Sequence, residues 1–142
     1  MAIGEANFLY TITSIRQRLF KLLRRELAEH GIEGIAPSYG DILFVLDQKG
    51  AITPQEVARH TIKDKSTVSS VINKLEAGGY ISKAKDGRDG RSINLTLTPR
   101  AVRLRPVLLA ISKKMNARLF EGFSTEEKQT LFRLLEKIYR NL

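Results

Sequence analysis

Apolar residues recur at steps of three and four near the start of the chain. Leu9, Ile12, Ile15, Leu19, Phe20, Leu22, Leu23 and Leu27 are interleaved with Arg16, Arg18, Lys21, Arg24 and Arg25. That period predicts one long helix over residues 5–30, broken at Gly31 and Gly34. The apolar positions spread wider than a single stripe. Two partners satisfy such a surface more readily than one: the helix's own domain and a second subunit. Pro37–Ser38–Tyr39–Gly40–Asp41 then opens a second helix, with Ser38 as its cap and Asp41 near the positive end. Ile42, Leu43, Val45 and Leu46 bury it. Gly50–Ala51–Ile52 leaves room only for a bridging strand.

The middle of the chain changes rhythm. Thr53 caps a short helix with Pro54 in its first position and Glu56 placed for a capping box, and that helix ends at His60. After Thr61–Ile62–Lys63, Asp64 caps a further helix from Lys65 to Ala77. Val68, Val71, Ile72 and Leu75 form its buried stripe, while Lys65, Ser66, Thr67, Ser69, Ser70, Asn73 and Lys74 fall on the opposite face. Gly78–Gly79 ends it. Two short helices, a tight turn and a small, polar, acid-poor second face make a helix-turn-helix pattern. Tyr80–Ile81–Ser82–Lys83–Ala84 and Ser92–Ile93–Asn94–Leu95–Thr96–Leu97 then alternate as strands around a glycine-punctuated turn carrying Arg88 and Arg91. A basic hairpin directly behind the second helix is the wing of a winged helix.

Thr98 and Pro99 start a helix to about Phe120, with Val102, Leu104, Val107, Leu108, Ile111, Met115, Leu119 and Phe120 on its apolar side. Pro106 removes one backbone bond inside it and is expected to bend it. Gly122 stops it, and Ser124–Thr125–Glu126–Glu127 boxes the start of a last helix to Tyr139, with Leu131, Leu134, Leu135 and Ile138 on one face. The fold class expected is mainly α with a small β wing. It divides into an N-terminal dimerisation helix (1–34), a winged helix-turn-helix (35–98) and C-terminal dimerisation helices (99–142), within one compact domain overall.

Charge adds a partner. Of the 142 residues, 1–60 hold seven basic and seven acidic side chains, and 121–142 hold four of each. Residues 61–120 hold thirteen basic against four acidic, so the whole net charge of +9 sits in the segment from the recognition helix through the wing to the next helix. That distribution is the footprint of a polyanion. The absence of cysteine excludes disulfides, thiolate metal sites and thiol redox sensing. His30 and His60 lie on separate helices, Gly87 and Gly90 sit in a hairpin rather than a phosphate loop, and the carboxylates are scattered, mostly at caps. Neither an enzyme nor a metal site is expected, and no cofactor. No long apolar run suggests a membrane span, and Met1–Ala2–Ile3–Gly4–Glu5 lacks the basic-then-apolar pattern of a secretory leader. A cytoplasmic location is the simple expectation.

Three pieces of the chain resemble one family. Asp64–Lys65–Ser66–Thr67–Val68, then Leu75–Glu76–Ala77–Gly78–Gly79–Tyr80–Ile81, then Asp86–Gly87–Arg88–Asp89–Gly90–Arg91 with Leu97–Thr98–Pro99, are similar to the MarR family of bacterial and archaeal transcription regulators. The resemblance covers nearly the whole chain, and the Asp-x-x-Asp-x-Arg wing followed by Leu-Thr is its most diagnostic piece. Many members carry an arginine where this chain has Ser70. The resemblance implies a homodimer interlocked through the first and last two helices, and a sequence-specific regulator, a repressor, on a pseudo-palindromic operator. It also implies release by a small aromatic or phenolic effector held between the dimerisation helices and the winged helix. Matching positions for the effector are Phe20, His30, Tyr39 and Phe44.

On this reading, the helix from Lys65 enters the major groove of double-stranded DNA. Ser66, Thr67, Ser69, Ser70 and Asn73 face bases, with Asn73 able to read adenine by two bonds. Lys65 and Lys74 meet phosphates, and Arg88 or Arg91 enters the minor groove while Asp89 orients an arginine. Arg100, Arg103 and Arg105 either touch flanking phosphates or lie on a solvated face. Two other functions fit the same residues: an architectural winged helix that coats DNA without sequence preference, and a protein-binding winged helix whose basic face meets an acidic partner.

Overall fold

The computed structural model describes residues 2–85 and 90–142. The expectations for Arg88 and Asp89 therefore lie outside the described residues. A short 3-10 turn at Glu5–Asn7 leads into α1 (Phe8–Glu29), which is followed by α2 (Gly40–Lys49), α3 (Pro54–His60) and α4 (Lys65–Ala77). A hairpin of β1 (Ile81–Lys85) and β2 (Ile93–Leu97) precedes α5 (Pro99–Leu119) and α6 (Thr125–Asn141).

Local chemistry sets most of these boundaries. Thr53, Asp64, Thr98 and Ser124 each accept a backbone N–H of the first helical turn through the side chain, satisfying donors that a helix start leaves without partners. Thr53 with Glu56 and Ser124 with Glu127 form reciprocal capping boxes. The second helix starts differently from the sequence expectation. Ser38 makes no cap: Pro37–Tyr39 winds a 3-10 turn that runs straight into Gly40, with Tyr39 already near helical dihedrals. Proline's fixed φ starts the turn early, so the chain is helical before Ser38 can act. Asp41 instead accepts the N–H of Ile42 at 2.9 Å and pairs with Lys63 in the helix-turn-helix connection.

Two cores result. In the larger, Ile42 and Leu46 of α2, Val57 of α3, Val68 and Leu75 of α4, and Ile81 and Leu95 of the hairpin surround Tyr80. Strand β1 pairs antiparallel with β2, Ile81 opposite Leu97 and Lys85 opposite Ile93. Ile52 bridges Leu95 through two backbone bonds, so the expected bridging strand joins the base of the hairpin to α3. The smaller core is Leu27, Ile32 and Ile111, where α1 crosses α5. Beside it Glu26, only 5% exposed, accepts from Lys114 at 2.7 Å. A buried carboxylate needs that cation. Pro106 lies inside α5 without ending it.

The outer faces are another matter. Helix α6 has no buried residue, and Phe132, Leu134, Leu135, Ile138 and Tyr139 are exposed on it. It touches the end of α5 through Phe132 edge-on to Phe120, ring centroids 5.4 Å apart. Phe8, Leu9, Tyr10, Ile12 and Ile15 are likewise exposed on α1.

Candidate nucleic-acid interface

Helix α4 presents one face to the core and one to solvent. Val68, Val71, Ile72 and Leu75 are buried, whereas Lys65, Ser66, Thr67, Ser69, Ser70, Asn73 and Lys74 are all exposed. The stripe fixes the helix's rotation, so the seven polar side chains share the outer surface. Their hydrogen bonding is uneven. Asp64 accepts the Thr67 N–H at 2.7 Å and the Ser66 hydroxyl at 2.8 Å, which commits the Ser66 proton to the cap and leaves its oxygen as an acceptor. The Thr67 N–H, followed by the Ser66 hydroxyl, holds the Asp64 carboxyl below its ordinary value. The Glu56 carboxyl is lowered in the same way, first by the Thr53 N–H. Both caps of the helix-turn-helix are thus ionised at neutral pH.

Asn73 is engaged from the wing. Lys83 of β1 donates to Asn73 Oδ1 at 2.7 Å and pairs with Glu76 at 2.8 Å. The atom of Asn73 that would accept from adenine thus already holds a cation in this structure. Lys83 is a residue that motif reasoning passed over. Strand alternation carries the signal, since Lys83 shares the strand face of buried Ile81 and so points back towards α4.

The arginines after the wing separate into distinct roles. Arg100 lies over the Tyr80 ring, 4.5 Å from its centroid, and donates to the Gly78 carbonyl and the Tyr80 hydroxyl. Tyr80 in turn donates to the Glu33 carbonyl. A side chain at Gly78 would come within 3.1 Å of that ring, so glycine is what lets the tyrosine pass beneath the end of α4. Arg100 thus braces α5 against the root of the wing. Arg105 pairs with Asp47 of α2. Arg103 and Arg91 are exposed.

Between α1, α2 and α5 lies an apolar pocket of about 500 Å³. Leu23 and Leu27 of α1, Leu43 and Phe44 of α2, and Leu104 and Leu108 of α5 line it, with Asp47 and Arg105 supplying polar groups. Of the four positions named for an effector, the pocket includes Phe44. Phe20 lies under Arg16 on α1, His30 bonds the Glu26 carbonyl at 2.8 Å, and Tyr39 packs on the larger core, all three outside that lining. Among the described residues no group of three or more histidine or carboxylate side chains is placed to hold a metal.

A family model described as the MarR family matches residues 33–92, the helix-turn-helix and most of the wing. Over those residues the chain is similar to the MarR family. Relatives of this chain are named as helix-turn-helix transcriptional regulators or repressors. SarZ of Staphylococcus haemolyticus is 28% identical over 102 residues, 70% of this chain and 67% of SarZ. The repressor IacR of Pseudomonas putida is 24% identical over 101 residues, 71% of this chain and 60% of IacR. The fold is shared with solved structures at lower identity. A mutant MarR from E. coli complexed with operator DNA superposes with a TM-score of 0.82 at 18% identity, covering 96% of this chain and 99% of that one. An organohalide-sensing transcriptional regulator in its 2,4-dichlorophenol-bound form gives 0.85 at 22% identity, covering 99% and 82%. The matching family and the named relatives are transcription regulators, not enzymes.

Proposed function

We propose that the protein is a repressor that binds a pseudo-palindromic operator in double-stranded DNA as a homodimer and releases it when a small aromatic or phenolic ligand binds. The observation that carries this reading is the outer face of α4: seven small or basic polar side chains, held rigid by a fully buried stripe and flanked by a basic hairpin. Ser66, Thr67, Ser69, Ser70 and Asn73 face bases in the major groove. Lys65 and Lys74 meet phosphates, and Arg88 or Arg91 enters the minor groove. Short side chains let the helix approach closely but read fewer atoms than arginine, so sequence-dependent DNA shape carries part of the specificity.

The exposed apolar faces of α1 and α6 support the dimer. Monomeric proteins rarely leave such a surface in water, and a symmetric operator needs a two-fold protein. Residues 1–34 and 99–142 form the dimer arms around the reading unit of 35–98. The apolar pocket supports the effector, since its walls come both from the arms (α1 and α5) and from α2 of the reading unit. A structure of the same fold bound to 2,4-dichlorophenol supports a phenolic ligand class. A ligand there acts by favouring one spacing of the two α4 helices over another. The same regulator works where the chromosome is, in the cytoplasm; no helix among the described residues is long and apolar enough to cross a membrane.

Selection from random duplexes at about 150 mM salt tests the proposal. The expected product is an inverted repeat with half-sites about ten base pairs apart. Retention without a shared motif would establish an architectural protein instead. No retention even at about 50 mM salt would sink both and favour an acidic protein partner.

A further inference from the structure

Lys83 stands on β1 and reaches back to α4, its Nζ 2.7 Å from Asn73 Oδ1 and 2.8 Å from Glu76 Oε2. Asn73 and Glu76 are three residues apart and so neighbours on the helix surface, which makes them two walls of one seat for the ammonium. The Lys83 side chain is 28% exposed, more enclosed than a lysine pairing at random on a surface. An ammonium has only hydrogens to give. The atom of Asn73 that meets it is therefore the carboxamide oxygen, because the flipped amide would set its own N–H groups against a cation.

A carboxamide reads adenine by two bonds at once, donating to N7 and accepting from the N6 amino group. In this chain the accepting half is committed to Lys83. The second lone pair of that oxygen lies beside a positive charge, which repels amino hydrogens that are themselves positive. What Asn73 retains is its Nδ2 donors. Guanine meets a donor with two acceptors in the major groove, N7 and O6. We infer that Lys83 is a specificity-determining positioning residue: by holding Asn73 Oδ1 it converts Asn73 from a reader of adenine into a donor-only reader of guanine. The inference rests on α4 being the base-contacting helix, and its test separates the two.

On the selected operator, Asn73→Ala locates the relevant base pair as the one whose preference flattens. Duplexes carrying guanine or adenine there are then competed for the wild type, for Lys83→Met and for Lys83→Met/Glu76→Gln. Methionine keeps an apolar stem, and the double variant leaves the local net charge unchanged. The readout is the ratio of the two affinities, in which any loss common to both duplexes cancels, including a lost phosphate contact or a smaller folded fraction. The wild type is expected to favour guanine by about fivefold to tenfold, and both variants to move the ratio to adenine. A ratio unchanged in both variants would make Lys83 a strut or a phosphate contact and overturn the inference. So would an operator in which no base pair responds to Asn73→Ala. A wild type that selects no sequence at all would instead overturn the reading of α4, and the inference with it.

Discussion

The reading unit and the two terminal arms are both rich in apolar residues, and they dispose of them in opposite ways. From α2 to β2 the apolar side chains converge, so that Ile42, Val57, Leu75 and Leu95 have no exposed surface. In α6 the same residue types recur at the same helical spacing and none is buried. Amphipathicity is equal to the task in both places; what differs is whether the chain brings a second surface to meet it. The reading unit closes on itself through Ile52, the hairpin and Tyr80. The arms lie at opposite ends of the chain, cross where Leu27, Ile32 and Ile111 pack, and join the reading unit through Ala101, Arg100 and Arg105 of α5. The lesson is that this chain closes one core by itself and leaves the apolar faces of α1 and α6 uncovered, as the proposed reading head and half dimer interface require.

The largest expected effects set those two regions against each other. Leu75→Ala opens a cavity in a closed core and should cost about 2–5 kcal/mol in chemical denaturation at any protein concentration. Leu135→Glu on α6 should leave the reading core intact and weaken self-association roughly 100-fold, since a charge would be buried without a partner. Sedimentation across a dilution series reads that shift. A monomeric wild type, or a variant that stays dimeric, would break the contrast.

Smaller effects sharpen it. Thr53→Ala removes the cap of α3 and should lower stability by about 1 kcal/mol without changing the sedimentation behaviour. Arg91→Ala should weaken DNA binding similarly on all sequences and reduce the slope of log affinity against log salt by about one. A slope identical to the wild type would remove Arg91 from the interface.

The pH dependence is expected to divide along the same boundary. The carboxyls of Asp64 and Glu56 are depressed by the backbone N–H groups they accept, so their stabilisation is present above the ordinary carboxylate value. It is lost as pH falls through the lower folded-state value. The ammonium of Lys114 is raised, first by its bond to Glu26, so its stabilisation is present below the ordinary lysine value and lost as pH rises through the folded-state value. Acid should therefore loosen the helix-turn-helix caps, and alkali the α1–α5 crossing. Denaturation midpoints of Asp64→Asn and Lys114→Met across pH check the signs, each variant flattening one limb.

Much of the site could be read from the chain because it is local. The caps at Thr53, Asp64, Thr98 and Ser124 are recognisable within four residues, and the stripe Val68, Val71, Ile72 and Leu75 fixes which face of α4 looks outward. What could not be read that way depends on residues distant in sequence. Arg100 looked like any basic residue after a wing until Tyr80 was placed beneath it. Arg105 looked the same until Asp47 stood opposite. Ser38 looked like a cap, but Pro37 had already started a turn. The effector positions fared unevenly for the same reason: a pocket is the space left among α1, α2 and α5, and periodicity on one helix says nothing of that space.

The sequence by itself determined the helices, the hairpin, the polar face of α4 and the concentration of positive charge around it, because period, capping chemistry and charge are properties of short stretches. Tertiary structure alone decided that Lys83 holds Asn73 and Glu76, that Tyr80 and Arg100 brace the root of the wing, and that α1, α2 and α5 leave a pocket. Lys83 holds residues 7 and 10 positions away, Arg100 reaches Tyr80 20 positions away and the pocket joins helices farther apart still, and only the folded chain fixes those distances.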